Sequence, residues 1–128
     1  MPSRIAAIAI DAVRPGGVAQ FWCVVLGWGV IADDGDIVSI GPGDAPWPTI
    51  DIAAVPEGKV VKNRVHLDLR ADDTTTQREL QRLLELGARR TDAGQAPDSS
   101  WDVLSDPEGN EFCLLSRSVQ EVLADPVP

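Results

Sequence analysis

The sequence predicts an α+β fold made of a duplicated βαβββ unit, and three observations carry that reading. A strand-like run of small apolar residues, Ile5-Ala6-Ala7-Ile8-Ala9-Ile10-Asp11, leads through a helical segment to Leu26-Gly27. The same order recurs from Val65-His66-Leu67-Asp68-Leu69-Arg70 through a second helical segment to Leu86-Gly87. After each Leu-Gly come short alternating segments broken by turn residues. Repetition of this kind sets the architecture before any single element does. At 128 residues the chain reads as a single domain. Module one covers about 4–57, module two about 63–117, and 118–128 reads as a C-terminal tail.

In the first module, Ile8 and Ile10 share one face of the opening strand, with Ala7, Ala9 and Asp11 on the other. Arg14-Pro15-Gly16-Gly17 turns the chain into a helix. On it Val18, Phe21, Trp22, Val25 and Leu26 recur at the spacing of one buried stripe. Gly27 stands where a left-handed C-terminal cap belongs. Asp33-Asp34-Gly35-Asp36 marks a hairpin tip before the strand Ile37–Ile40. Residues 41–48, rich in proline and glycine, make a loop, and Thr49–Val55 alternates as a strand.

The second module opens with the strand Val65–Leu69. Thr76-Gln77-Arg78-Glu79 has the spacing of a capping box. Leu80, Leu83 and Leu84 give the buried stripe of the helix, which Gly87 ends. Arg89–Asp92 reads as a strand and 93–100 as a polar loop. Trp101–Leu104 and Glu111–Ser116 form a hairpin around the dense turn signal Asp106-Pro107-Glu108-Gly109-Asn110. Ser118–Leu123 reads as a last helical turn, and Asp125–Pro128 as a frayed end.

A net charge of −9 argues against nucleic acid and against anionic membrane surfaces as partners. Cys23 and Cys113 are the two cysteines, and no basic N-terminus leads into an apolar run. Two such residues read as free, buried thiols in a reducing cytoplasm. The apolar runs are too short to span a bilayer.

Alternation divides each set of strands into two faces. Ile8/Ile10, Ile50/Ile52, Val65/Leu67/Leu69 and Phe112/Leu114 belong against the helices. The opposite face carries Ala7, Ala9, Asp11, Asp51, Ala53, His66, Asp68, Arg70, Glu111 and Cys113. A wet side of an antiparallel sheet would suit polar residues. The alanines favour a concave lining, because small side chains leave room for a ligand.

Phe21-Trp22-Cys23-Val24-Val25-Leu26-Gly27-Trp28, Val65-His66-Leu67-Asp68-Leu69 and the closing Asp106-Pro107-Glu108-Gly109-Asn110-Glu111-Phe112-Cys113-Leu114 resemble the vicinal oxygen chelate superfamily. Within it the chain is similar to the glyoxalase-like branch, of the glyoxalase/bleomycin resistance/dioxygenase type, over residues 4–117. The resemblance implies two βαβββ modules forming an open, cup-shaped mixed β-sheet, and a homodimer. It also implies, for the superfamily's enzymes, a divalent metal held by inward residues on the first and last strands of each half. That metal polarises neighbouring substrate oxygens as a Lewis acid. Members without the metal bind antibiotics or other small molecules.

This chain departs from that pattern. Ala7 stands at the first-half position that usually holds histidine, while His66 fills the second-half one. The closing-strand glutamate position aligns with Cys113, Glu111 lying two residues earlier on the same face. The remaining first-half position falls at Ala53 or, with a shifted register, Asp51. His66 is the sole histidine, so one subunit offers no multi-histidine site.

The expectation is therefore a small-molecule-binding protein with a depleted metal site and no metal or other cofactor, taking a metabolite or antibiotic in the cup. Its expected ligand-binding residues are His66, Asp51, Asp68, Arg70, Trp47, Trp101, Glu111 and Cys113. Trp47 and Trp101 sit at loop–strand junctions, where aromatics make stacking walls. Arg70 suits a ligand carboxylate or a salt bridge with Asp11 or Asp68. His66 reads either as a structural residue hydrogen-bonded to Asp68 or Glu111, or as a ligand. The alternative function is a metal-dependent lyase, isomerase or dioxygenase using His66 with Glu111 and Asp51 or Asp68. A third class, a scaffold module, would have its cup filled by its own side chains.

Overall fold

The computed structural model describes residues 1–91 and 101–126. The predicted loop 93–100, Asp92 and the last two residues lie outside them. The chain divides into two compact units, Met1–Val60 and the remainder from Val61 onward.

In the first unit, β1 (Ala7–Ala12), α1 (Pro15–Leu26), β2 (Gly29–Asp33), β3 (Ile37–Gly41) and β4 (Thr49–Ala54) follow one another. The sheet order is β1-β4-β3-β2, with β1 parallel to β4 and the other pairs antiparallel. Pro15 opens α1, where its missing N–H is not needed, and Gly27 closes it in the left-handed region at φ 68°. Val18, Phe21, Trp22 and Val25 are buried as the stripe requires, together with Ala19; Leu26 is only half-buried. Phe21 and Trp22 meet edge to face at 5.3 Å. Val38, Ile40, Ile50 and Ile52 complete this core. Each such side chain removed from water stabilises by about 1.5–3 kcal/mol. The β2–β3 register shifts between Val30 and Ala32, a bulge that inserts Ile31.

The second unit repeats the plan. It contains β5 (Leu67–Leu69), α2 (Thr76–Glu85), β6 (Arg89–Arg90), β7 (Trp101–Ser105), β8 (Glu111–Leu115) and α3 (Val119–Ala124). The order is β5-β8-β7-β6, again with the opening strand parallel to the closing one. Leu83, Leu104, Phe112 and Leu114 are fully buried, and Leu80 and Leu84 half-buried.

Two local expectations need correction. The opening strand begins at Leu67, and Val65 is 77% exposed instead of lying on the buried face. The N-cap of α2 is Thr75, whose hydroxyl accepts the Arg78 N–H, while the Thr76 hydroxyl donates to the Ser116 carbonyl. Three residues after Thr75 comes an arginine, which has no acceptor to return to the cap, so no box closes there. The last helical turn read at Ser118–Leu123 is present as α3. Ser118 and Glu121 form a complete capping box at the start of α3, and the Val119 N–H donates to the Ala71 carbonyl. Among the described residues no helix is long and apolar enough to cross a membrane.

Candidate functional site

The register of the second sheet sorts its side chains. Asp68 lies opposite Cys113, which lies opposite Val103; Trp101 pairs with Leu115, and Ser105 with Glu111. Residues directly opposite one another project to the same face. Asp68, Cys113, Val103, Trp101, Leu115, Ser105 and Glu111 therefore share one face. Leu67, Leu69, Phe112, Leu114 and Leu104 occupy the other, on which α2 contributes Leu83.

On the first of these faces a compact polar group forms. His66 Nδ1 lies 3.1 Å from Asp68 Oδ1, and Cys113 Sγ lies 4.0 Å from the same nitrogen. The three donor atoms all fall within 4.8 Å of one another. The His66 and Asp68 side chains are 36% and 48% exposed, whereas Cys113 is buried. Burial first, then the Asp68 charge and a hydrogen bond to Asp68, push the Cys113 thiol up to about 11. At neutral pH it is a protonated thiol, hence a poor nucleophile. The Cys113–His66 contact is accordingly not an activated cysteine–histidine pair.

Glu111 has a structural partner. Its buried carboxylate accepts the Asn63 N–H at 2.8 Å, and the Asn63 amide donates to Asn110 Oδ1 at 3.0 Å. It thus ties the segment leading into β5 to the start of β8. Arg70 Nη1 donates to the Arg117 carbonyl at 2.9 Å, so it fastens the end of β5 to the approach of α3. Neither expected acidic partner of Arg70 takes that bond. Trp101 begins β7 at 40% exposure, on the face of Asp68 and Cys113.

The first unit holds the other predicted residues. Asp51 is half-buried between Ala9 and Ser39 in register, and accepts the Thr49 hydroxyl at 3.3 Å. Ala7, Ala9 and Ala53 share its face, as alternation predicts. Trp47 is 45% exposed with the Arg4 guanidinium 5.2 Å from its ring centre, a cation–π contact. A feature unforeseen in the sequence is a cavity of about 300 Å³ beside α1, lined by Gly16, Cys23, Val24, Trp28, Val30 and Val38 among others. Its signal was compositional: Gly16 and Gly29 on its wall carry no side chain to fill it.

The metal implied by the resemblance can be tested against these donors. Ala7 offers none, and Cys113 supplies sulfur where a carboxylate oxygen is usual. Among the described residues, the group suited to holding an ion is His66, Asp68 and Cys113, without Glu111 or Asp51. A mixed nitrogen, oxygen and sulfur set is poorly matched to a hard oxygen-seeking cation such as Mn²⁺. The donors at these positions therefore do not fit such a cation.

Known proteins place this geometry. A family model described as the glyoxalase-like domain matches residues 7–115. No curated protein matches the chain in sequence. The fosfomycin resistance protein FosX from Mesorhizobium loti superposes with a TM-score of 0.68 at 16% identity, covering 97% of this chain and 99% of that one. FosX from Listeria monocytogenes, in complex with Mn(II) and 1S,2S-dihydroxypropylphosphonic acid, gives 0.67 at 12%, covering 99% and 100%. A bleomycin resistance determinant encoded on the transposon Tn5 gives 0.59 at 20%, covering 91% and 100%. At such identities these structures share the fold. With the family match spanning nearly the whole chain, this protein belongs to the glyoxalase-like domain family.

Proposed function

We propose that the protein binds a small organic molecule, a metabolite or an antibiotic, without the metal of the superfamily's enzymes. The observation that carries this reading is the helix-free face of the second sheet. There the His66–Asp68 pair meets buried Cys113, and half-exposed Trp101 stands further along the same face. Such a surface sets an aromatic ring and the apolar Val103 and Leu115 beside an exposed carboxylate and an imidazole, with Ser105 and Glu111 at its far end. The matching ligand is a flat ring bearing a cationic nitrogen or hydrogen-bond donor, which Asp68 would accept while Trp101 stacks. Two of the structural neighbours are resistance proteins for fosfomycin and bleomycin by name, which supports small-molecule binding. The homodimer implied by the resemblance belongs to the same proposal.

A thermal-shift screen of aromatic metabolites and antibiotics on chelator-treated protein tests it. A ligand at 100 times its dissociation constant stabilises by about 2.7 kcal/mol, a shift of several degrees. The expected result is a hit whose shift shrinks in Trp101→Ala and in Asp68→Asn. A screen in which nothing stabilises the protein, or whose hits ignore both substitutions, contradicts the proposal.

A further inference from the structure

We propose that the cavity beside α1 is a second ligand site, taking a short aliphatic amine as its ammonium ion. It lies wholly within the first unit, apart from every residue of the second sheet used above, and so goes beyond that reading.

Topology lays out the walls. β2 runs parallel to β1, through the antiparallel pairs β2–β3 and β3–β4 and the parallel pair β1–β4. Between them α1 carries the chain back, so α1 and β2 run in opposite senses. Gly16, Ala19, Gln20, Cys23 and Val24 line one side at i, i+3, i+4, i+7 and i+8, a single helix face. That face extends about 12 Å, at about 1.5 Å per residue. Across from it, Trp28 stands where the chain turns and Asp33 towards the end where α1 begins. Ala19 and Val38 are buried, whereas Val24 and Val30 are 49% and 59% exposed, so an apolar floor opens through an apolar mouth. At Gly16 and Gly29 an added Cβ would meet no atom within 4 Å. The volume of about 300 Å³ lies at the small end of ligand pockets.

Chemistry chooses the occupant. Valine and alanine walls call for an aliphatic body, and burial raises the Cys23 pKa, which keeps the thiol protonated as part of that wall. Charge chooses the head group. From Pro15 to Gly58 the chain carries Asp33, Asp34, Asp36, Asp44, Asp51 and Glu57, and no lysine, arginine or histidine. Of these Asp33 lines the cavity. Its Oδ1 accepts the Gly35 N–H at 2.9 Å, and a carboxylate can accept further bonds at both oxygens. The start of α1 supplies only about half a positive charge against the full negative charge of Asp33. A cationic donor therefore suits this end, with its alkyl chain running towards Trp28.

The test is titration of the isotope-labelled full chain at neutral pH with hexylamine, which has no ring to stack on Trp101, beside hexanoate of the same length and opposite charge. Two-dimensional NMR should show saturable shifts at Ala19, Cys23, Val24, Val30 and the Trp28 indole N–H, with a dissociation constant on the order of 1 mM or tighter. Hexanoate should give no comparable shifts. Gly16→Leu places a side chain on the cavity face of α1, where leucine favours the helix over glycine; it should abolish binding without lowering the melting temperature. Asp33→Asn, at an exposed position, should weaken binding about three- to tenfold. Shifts that do not saturate, equal binding of hexanoate, or binding that survives Gly16→Leu overturns the proposal. So do shifts centred on Asp68 and Trp101, which would assign the amine to the second sheet. The aromatic ligand screen reads a different surface, so its success or failure leaves this result intact.

Discussion

Asp106 shows how much one side chain can hold. It is 2% exposed at the end of the β7 segment, and its carboxylate accepts the Glu108 and Asn110 backbone N–H groups and the Asn110 amide. Asn110 in turn receives the Asn63 amide, so the turn also anchors the segment entering β5. Removing this acceptor leaves several donors unpaired. We predict that Asp106→Ala lowers stability by about 2–3 kcal/mol in urea unfolding, with Asp106→Asn milder; equal stability of wild type and Asp106→Ala would refute this. The dense turn signal at 106–110 was legible in the sequence, because aspartate, glycine and asparagine each have a local reason to be there. Alternation likewise placed Asp68 and Cys113 on one face. The role of Glu111 was not legible, since its partner Asn63 comes from an unpatterned segment 48 residues away.

At the scale of elements, caps and stripes decide where helices begin and how they dock. Ser118 and Glu121 satisfy each other's backbone donors at the start of α3. Bonds from the Ser118 backbone N–H, then from its side chain, hold the Glu121 carboxyl below its ordinary range. A carboxyl depressed in the folded state contributes stability that is complete above its unfolded pKa and is lost as pH falls through the folded value. Acidification below the ordinary glutamate range should therefore loosen α3, and Glu121→Gln should remove that dependence; hydrogen exchange at Val122 and Asp125, whose N–H groups bond within α3, reads both. Ser118→Ala should cost about 1 kcal/mol, and unaltered exchange there would count against the cap. For α2, Leu83 is completely buried, and Leu83→Ala should destabilise by about 2–5 kcal/mol, measured by urea unfolding. A loss below 1 kcal/mol would mean that α2 does not dock through that side chain. The stripe was readable from spacing alone. The caps were less so: Thr75 and Thr76 are chemically alike, and only the backbone decides which one faces the open N–H groups.

Across the whole molecule the repeat is the organising fact. Both sheets put the opening strand parallel to the closing strand and order the other two outward, β1-β4-β3-β2 and β5-β8-β7-β6. The paired Leu-Gly signals announced this, and both Gly27 and Gly87 do hold positive φ values, a conformation in which other residues are strained. Duplication did not preserve the chemistry of the two halves. One face of the first sheet sets Ala7, Ala9 and Ala53 beside Asp11, Thr49, Asp51, Ile37 and Ser39, while the matching face of the second carries Asp68 and Cys113 with His66 beside them. Pattern reading located these faces because strand alternation is strict. It did not locate the cavity beside α1, whose walls join helix, hairpin and glycines through packing that no period encodes.

The central claim is that ligand binding belongs to the face of the second sheet that carries Asp68, Cys113 and Trp101. The most direct measurement is chemical-shift mapping by two-dimensional NMR of isotope-labelled, metal-free protein, titrated with the strongest hit of the thermal-shift screen. The account predicts the largest perturbations at His66, Asp68, Trp101 and Cys113. Perturbations centred instead on Cys23, Trp28 and Val30 would place binding in the cavity beside α1 and contradict it.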